Sequence, residues 1–158
     1  MRIFVPLMAM ICFLACNNFE KEQTVYPVNE TLPTSLRWNW ADSLDAIVVA
    51  PESHNIVYED STVRILKVIC LPGVEEPIHT HKYKSVMWFT QSAHFIYYNY
   101  ILDSNNQLVK NDSTEIKGFP AEILDKGQMV EPEHPHSIKN IGVDTFLAYR
   151  TEYKVELK

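Results

Sequence analysis

From residue 55 onward the chain alternates apolar and polar positions in short runs bounded by turn-forming residues. Alternation with period two over about four to eight residues marks a strand with one buried face. The pattern predicts strands at Asn55–Tyr58, Thr62–Leu71, Glu75–His81, Ser85–Gln91 and Phe95–Leu102, with turns at Glu59–Ser61 and Pro72–Gly73. Beyond a hairpin turn at Asp103–Asn106, strands follow at Gln107–Lys110, Thr114–Ile116, Ala121–Leu124, Gln128–Glu131, His136–Asn140 and Thr145–Val155. Ahead of them, residues 35–47 carry Trp38, Trp40, Leu44 and Ile47 at spacings that suit a short turn of helix packed on the sheets. Many short strands with almost no helical period predict an all-β sandwich or barrel.

The N-terminal stretch has a different logic. Met1-Arg2 is a positive start and Ile3 to Leu14 an apolar core, too short to span a bilayer comfortably, which needs about 20 apolar residues. Residues 1–15 therefore read as a cleaved secretory signal. Residues 16–34 are polar, carry Pro27 and Pro33, and read as a tether, leaving 35–158 as one domain.

Charge and cysteine content narrow the classes. The formal net charge of -6 has no basic cluster behind it, which argues against a nucleic-acid partner. None of the four glycines forms a phosphate-cradling turn before a helix. Of Cys12, Cys16 and Cys70 only the last lies in the domain, so no disulfide framework is available. Cys70 falls in the apolar run Ile65–Leu71 and reads as a small buried hydrophobe.

The chemistry concentrates in two segments, Gly73–Ser85 and Gly127–Asn140. His79 and His81 are one residue apart, so on a strand they point to the same face. His136 lies in another strand-like segment that an antiparallel fold could bring to the same point. Three neutral imidazoles that converge with an open position suit a divalent transition metal. Ser85, Trp88, Tyr97 and His134 are candidates for the wall of an adjoining ligand pocket, the hydroxyls for polar contacts and the aromatics for apolar ones. Glu131 and Glu133 are candidate acids or bases, with exposed loop carboxylates as the simpler reading. His54 and His94 read as structural or exposed.

These segments resemble the cupin superfamily. Gly73, His79 and His81 match the spacing of its first motif, and Gly127, His136 and Asn140 match the second in part. The interval from Pro132 to His136 is one residue short, His134 stands where the motif has glycine, and Ser85 takes the place of the usual glutamate ligand. The runs Asp45–His54, Val63–Val68, Pro77–Val86 and Pro135–Gly142 are similar to small single-domain cupins, including a group associated with β-alanine degradation. The resemblance implies a cupin-type antiparallel β-barrel, also described as a double-stranded β-helix or jelly roll. It implies a three-histidine metal site lacking the carboxylate. Fe, Zn, Ni and Mn all remain open as the ion. Phe13-Leu14-Ala15-Cys16 resembles a bacterial lipoprotein signal, which implies acylation of Cys16 and anchoring to a membrane of the bacterial cell envelope.

Two functions from different classes fit: a metal-dependent enzyme on a small polar molecule, oxygenase-like or otherwise, and a non-catalytic small-molecule-binding lipoprotein with an empty or degenerate site. A third, an interaction protein using Trp38 and Trp40, follows from the aromatics before the sheets. Sheets of this kind leave edge strands that pair, so a homodimer is expected.

Overall fold

The structure is a computed structural model that describes residues 38–155. The signal segment, Cys16 and the tether lie outside them. A single 3-10 turn, Asp42–Leu44, and a short helix, α1 (Ala46–Val49), precede nine strands. These are β1 (His54–Glu59), β2 (Val63–Cys70), β3 (His79–His81), β4 (Ser85–Gln91), β5 (Phe95–Leu102), β6 (Leu108–Ile116), β7 (Gly127–Val130), β8 (Glu133–Asn140) and β9 (Phe146–Tyr153).

The strands form two antiparallel sheets, ordered β1-β2-β9-β4-β7 and β3-β8-β5-β6. Without the added edge strand β1, this is the eight-strand double-sheet jelly roll, the double-stranded β-helix arrangement that cupins share. The expected fold class is present as two facing sheets, with no pairing that closes them into a continuous barrel among the described residues. One hydrophobic cluster joins the sheets: Leu66, Val68 and Cys70 from β2, Phe95 from β5, Ile138 from β8, and Phe146 and Ala148 from β9. Cys70 is fully buried, and burial pushes its thiol up to about 11, as an inert core residue requires.

The expected strands Gln107–Lys110 and Thr114–Ile116 are one continuous strand, β6. Its middle, Lys110 to Ser113, is a polar run that hides the alternation, because both faces of this edge strand are exposed. Charges on such an edge discourage pairing with foreign strands. Ala121–Leu124 is not a strand. Ile123 N–H donates to the Pro120 carbonyl at 3.0 Å and Asp125 has φ +55°, so the chain turns there.

Asp45 ties the helical segment to the sheets. Its carboxylate accepts from Ile47 N–H at the start of α1 and holds the Arg64 guanidinium of β2 at 3.0 Å. No described helix is long and apolar enough to cross a membrane.

Candidate metal centre

β3 and β8 build the centre. His79 stands directly opposite His136 in the antiparallel register, whereas His81 is paired with Glu133, so β8 uses one more residue than β3 over the same interval. An extra residue is a β-bulge, which bends the strand and re-aims its side chains. In an unbroken strand His134 would share the inner face with His136, and Glu133 would point away. The bulge reverses this. Glu133 joins the inner wall, while His134 is exposed, with Trp40 Nε1–H donating to its Nδ1 at 2.9 Å and Trp38 packed 5.8 Å away.

His54 completes the cluster. It heads β1 opposite the core residue Val68 and is only 3% exposed, so of its two expected readings, structural or exposed, the second is excluded, and its place in a donor set adds a ligand role that the sequence did not suggest. Ring centroids lie 4.6 Å apart for His54–His79, 5.1 Å for His54–His81, 5.2 Å for His79–His81, 4.3 Å for His79–His136 and 5.6 Å for His81–His136.

All four imidazoles are oriented through Nδ1. His79 meets the Pro77 carbonyl at 2.9 Å, His136 the His134 carbonyl at 2.8 Å, His81 the Glu152 carboxylate at 2.7 Å, and His54 the Ala50 carbonyl at 3.4 Å. Carbonyl and carboxylate oxygens only accept, so Nδ1 carries the proton and Nε2 keeps its lone pair. Burial holds His79 and His81 well below the usual imidazole range and brings His54 down to about 3, with the positive field of Arg150 adding to the effect. Burial lowers His136 as well. The rings are therefore neutral, the form that binds metal.

Two donor sets have their atoms within 4.8 Å of one another: His54, His79 and His81; and His81, Glu133 and His136. A three-histidine group that could bind a metal is thus present. Bonds of about 2.0–2.1 Å put tetrahedral ligands about 3.3 Å apart, so a set whose atoms lie within 4.8 Å of one another must draw together to hold an ion. The trio His79, His81 and His136 meets in one ring cluster, yet each closed set contains only two of its members, and His81 is in both.

A layer of charge supports the rings. Arg64 Nε donates to Glu152 Oε2 at 2.5 Å, and the other oxygen of Glu152 holds His81, giving the chain Asp45–Arg64–Glu152–His81. A carboxylate behind a histidine in this way fixes its tautomer and raises its basicity toward a metal. Burial draws the Glu152 carboxyl upward, opposed by Arg150 and Arg64. Burial is the largest single influence on Glu133 and works upward, but Arg150, His136 and the Tyr97 hydroxyl together outweigh it and keep the carboxyl below its usual range. Tyr97 stacks on His136 at 5.0 Å and donates its hydroxyl to Glu133 at 3.1 Å.

The histidines open onto an interior cavity of about 210 Å³. Its polar end is formed by the four imidazoles with Glu76, Glu133, Tyr97 and Arg150, and its apolar end includes Phe89, Phe95, Phe119 and Phe146. Of the expected pocket residues, Tyr97 lines it and three do not. Trp88 is 43% exposed, because Met87 and Phe89 take the inward positions of β4. Ser85 shares the inner face of β4 with Met87 and Phe89 and is fully buried opposite Glu152, but it does not line the cavity. His134 is turned out by the bulge. Sequence reasoning missed Arg64, Arg150 and Glu152; the available signal was their position, in step with Leu66 and Phe146 on strands whose other face is partly exposed.

No family model matches the chain, and no curated protein does. Among solved structures it is similar to a cupin domain from Bordetella pertussis Tohama I, at 13% identity over 65% of this chain and 92% of that one, with a TM-score of 0.46. It is also similar to an RmlC-like cupin family protein with a double-stranded β-helix fold from Methanocaldococcus jannaschii, at 12% identity, covering 63% and 77%, with a TM-score of 0.42. A third, an uncharacterized conserved protein with a double-stranded β-helix domain from Klebsiella pneumoniae, is 17% identical, covering 64% and 75%, with a TM-score of 0.42. The fold assignment stands on the strand order, and the chemistry on the residues above.

Proposed function

We propose that this chain is a cupin-type metalloprotein that binds one divalent transition ion, Fe, Zn, Ni or Mn, beside a chamber for a small molecule. The observation that carries this reading is that the clustered imidazoles all have Nδ1 turned to an acceptor, which leaves Nε2 free, and that three of them, His54, His79 and His81, bring donor atoms within 4.8 Å of one another. His54, His79 and His81 are the favoured donors, because Glu133 of the other set is committed to Arg150 and Tyr97. The second reading replaces His54 with His136, favoured by its register opposite His79 and the 4.3 Å separation of their rings.

When bound, the ion would supply Lewis-acid polarisation of a ligand oxygen, or redox chemistry if it is iron. The protein's own contribution is to keep the rings neutral, orient them from behind and surround the ligand with apolar side chains. Catalysis on a small polar molecule is the primary function we infer, and binding without turnover is the alternative. The N-terminal sequence supports an acylated Cys16 and a place on the bacterial cell envelope, and the sheet edges support a homodimer.

Metal content of the purified protein, after growth with each candidate ion, tests the centre. About one ion per chain is expected from at least one supply; none from any supply would refute the proposal. Oxygen uptake and ligand turnover by the loaded protein then separate enzyme from binding module.

A further inference from the structure

The chamber beside the histidines has two ends of unlike chemistry, and the polar end has already used its proton donors. Each imidazole Nδ1–H is turned to an acceptor in the wall, and both the Tyr97 hydroxyl and Arg150 Nη1 donate to Glu133. The other Arg150 nitrogens, Nε and Nη2, are sealed from water without a partner, as is Glu76 Oε1. None of the four Nε2 atoms is among these sealed atoms, and none has a hydrogen-bond partner among the described residues. The imidazoles therefore offer a guest lone pairs, which accept a proton and give none. At the other end four phenylalanines form a cage, with Phe89 and Phe119 packed at 4.2 Å and Phe95 and Phe146 at 5.2 Å.

We propose that the chamber takes a compact neutral alcohol, its apolar body packed among Phe89, Phe119 and Phe146 and its hydroxyl donating to an imidazole Nε2. This deepens the reading of the cavity as a ligand chamber and rests on it for location, but not on the ion. A guest with acceptor atoms only, such as a ketone, would set lone pair against lone pair. A carboxylate does worse. Two buried arginines, Arg64 and Arg150, face three buried or partly buried acids, Asp45, Glu133 and Glu152, a formal count of one net negative charge. A further anion in that interior is repelled, and more strongly than it would be in water. Glu76 adds no charge at neutral pH, because burial holds its carboxyl up at about 8. Size sets the rest. The cavity holds about 210 Å³, and one of about 150 Å³ lined by Leu, Ile and Phe takes up benzene, so a single six-membered ring with one small substituent fits.

Cyclohexanol, cyclohexanone and cyclohexanecarboxylate share a ring and differ in the polar group. Calorimetry on the full wild-type chain, stripped of metal with chelator, ranks them. The alcohol should bind about three- to tenfold more tightly than the ketone, the effect of one hydrogen bond, and at least about tenfold more tightly than the carboxylate. A ketone equal to or tighter than the alcohol would overturn the proposal, as would a carboxylate as tight as the alcohol, or no binding of the alcohol at all. Phe119→Trp, which fills the apolar end and leaves the imidazoles untouched, should weaken both alcohol and ketone. Undiminished alcohol binding by that variant would put the guest elsewhere and sink the assignment. Metal content, measured on the same preparation before chelation, keeps the two readings apart: alcohol preference in a protein that takes up no ion removes only the metal centre, and stoichiometric ion without that preference removes only the alcohol.

Discussion

Strands β2 and β9 run side by side through both halves of the interior, and the halves are opposites. At one end the facing pairs are Cys70–Phe146 and Val68–Ala148; at the other they are Leu66–Arg150 and Arg64–Glu152. All eight side chains point inward, and every second residue of both strands is buried. The apolar end is held by shape: Phe95 and Phe146 pack at 5.2 Å and Phe89 and Phe119 at 4.2 Å. The charged end is held by ion pairs, running from Asp45 through Arg64 and Glu152 to His81, with Arg150 paired to Glu133. Burying ions this way adds little net stability over an apolar core. What the pairs do is fix atoms in place. The comparison teaches that this fold keeps its stability and its chemistry on the same strands, separated only by distance along them.

Several substitutions would break or sharpen that division. His81→Ala should produce the largest change. Losing a supporting hydrogen bond to a metal-binding histidine weakens affinity by about 10–100-fold, so removing the imidazole common to both donor sets should exceed that and abolish stoichiometric metal. Parallel His54→Ala and His136→Ala proteins decide between the sets, and the larger loss identifies the true third donor. Phe146→Ala should lower stability by about 3–5 kcal/mol in urea unfolding while metal stoichiometry holds. If metal is lost as well, the halves are not separable.

Glu152→Gln keeps the shape but weakens the acceptor behind His81, and should lower metal affinity by about 10–100-fold in a chelator competition. An unchanged affinity would mean that the buried chain from Asp45 is structural only. The most gradual effect belongs to pH. Burial raises Glu76 to about 8 from 4.5, against opposition from Ser53 and the Ile138 backbone. Between those values the unfolded chain has released a proton that the native protein keeps, so stability falls as pH rises, by at most about 1.4 kcal/mol per pH unit. His54 works in the opposite sense, because its native value near 3 lies below the ordinary 6.5; its stabilisation is present above 6.5 and lost as pH falls toward 3. In stripped protein, Glu76→Gln should flatten the alkaline limb of the urea midpoint against pH and leave the acid limb in place.

Much of the architecture was legible along the chain. Period-two alternation located eight of the nine strands at least in part, and β6 as two pieces, because one buried face imposes a hydropathy rhythm that local residues carry themselves. His79 and His81 were legible for the same reason, and Cys70 lay within an apolar run. The alternation misleads where an inward position is charged. Arg64, Arg150 and Glu152 look like solvent-facing residues until a partner from a distant part of the chain neutralises each of them. Likewise the facing of Glu133 and His134 is set by a single extra residue in β8 relative to β3, a property of the pairing and not of either strand. His54 gives no local sign, since it is buried by segments far from it in sequence. Short-range pattern therefore specifies which stretches extend and which side most of their residues show, because those choices are made between neighbours. Which polar groups enter the interior depends on charges and backbone registers meeting across long sequence separations, and only the folded chain supplies those meetings.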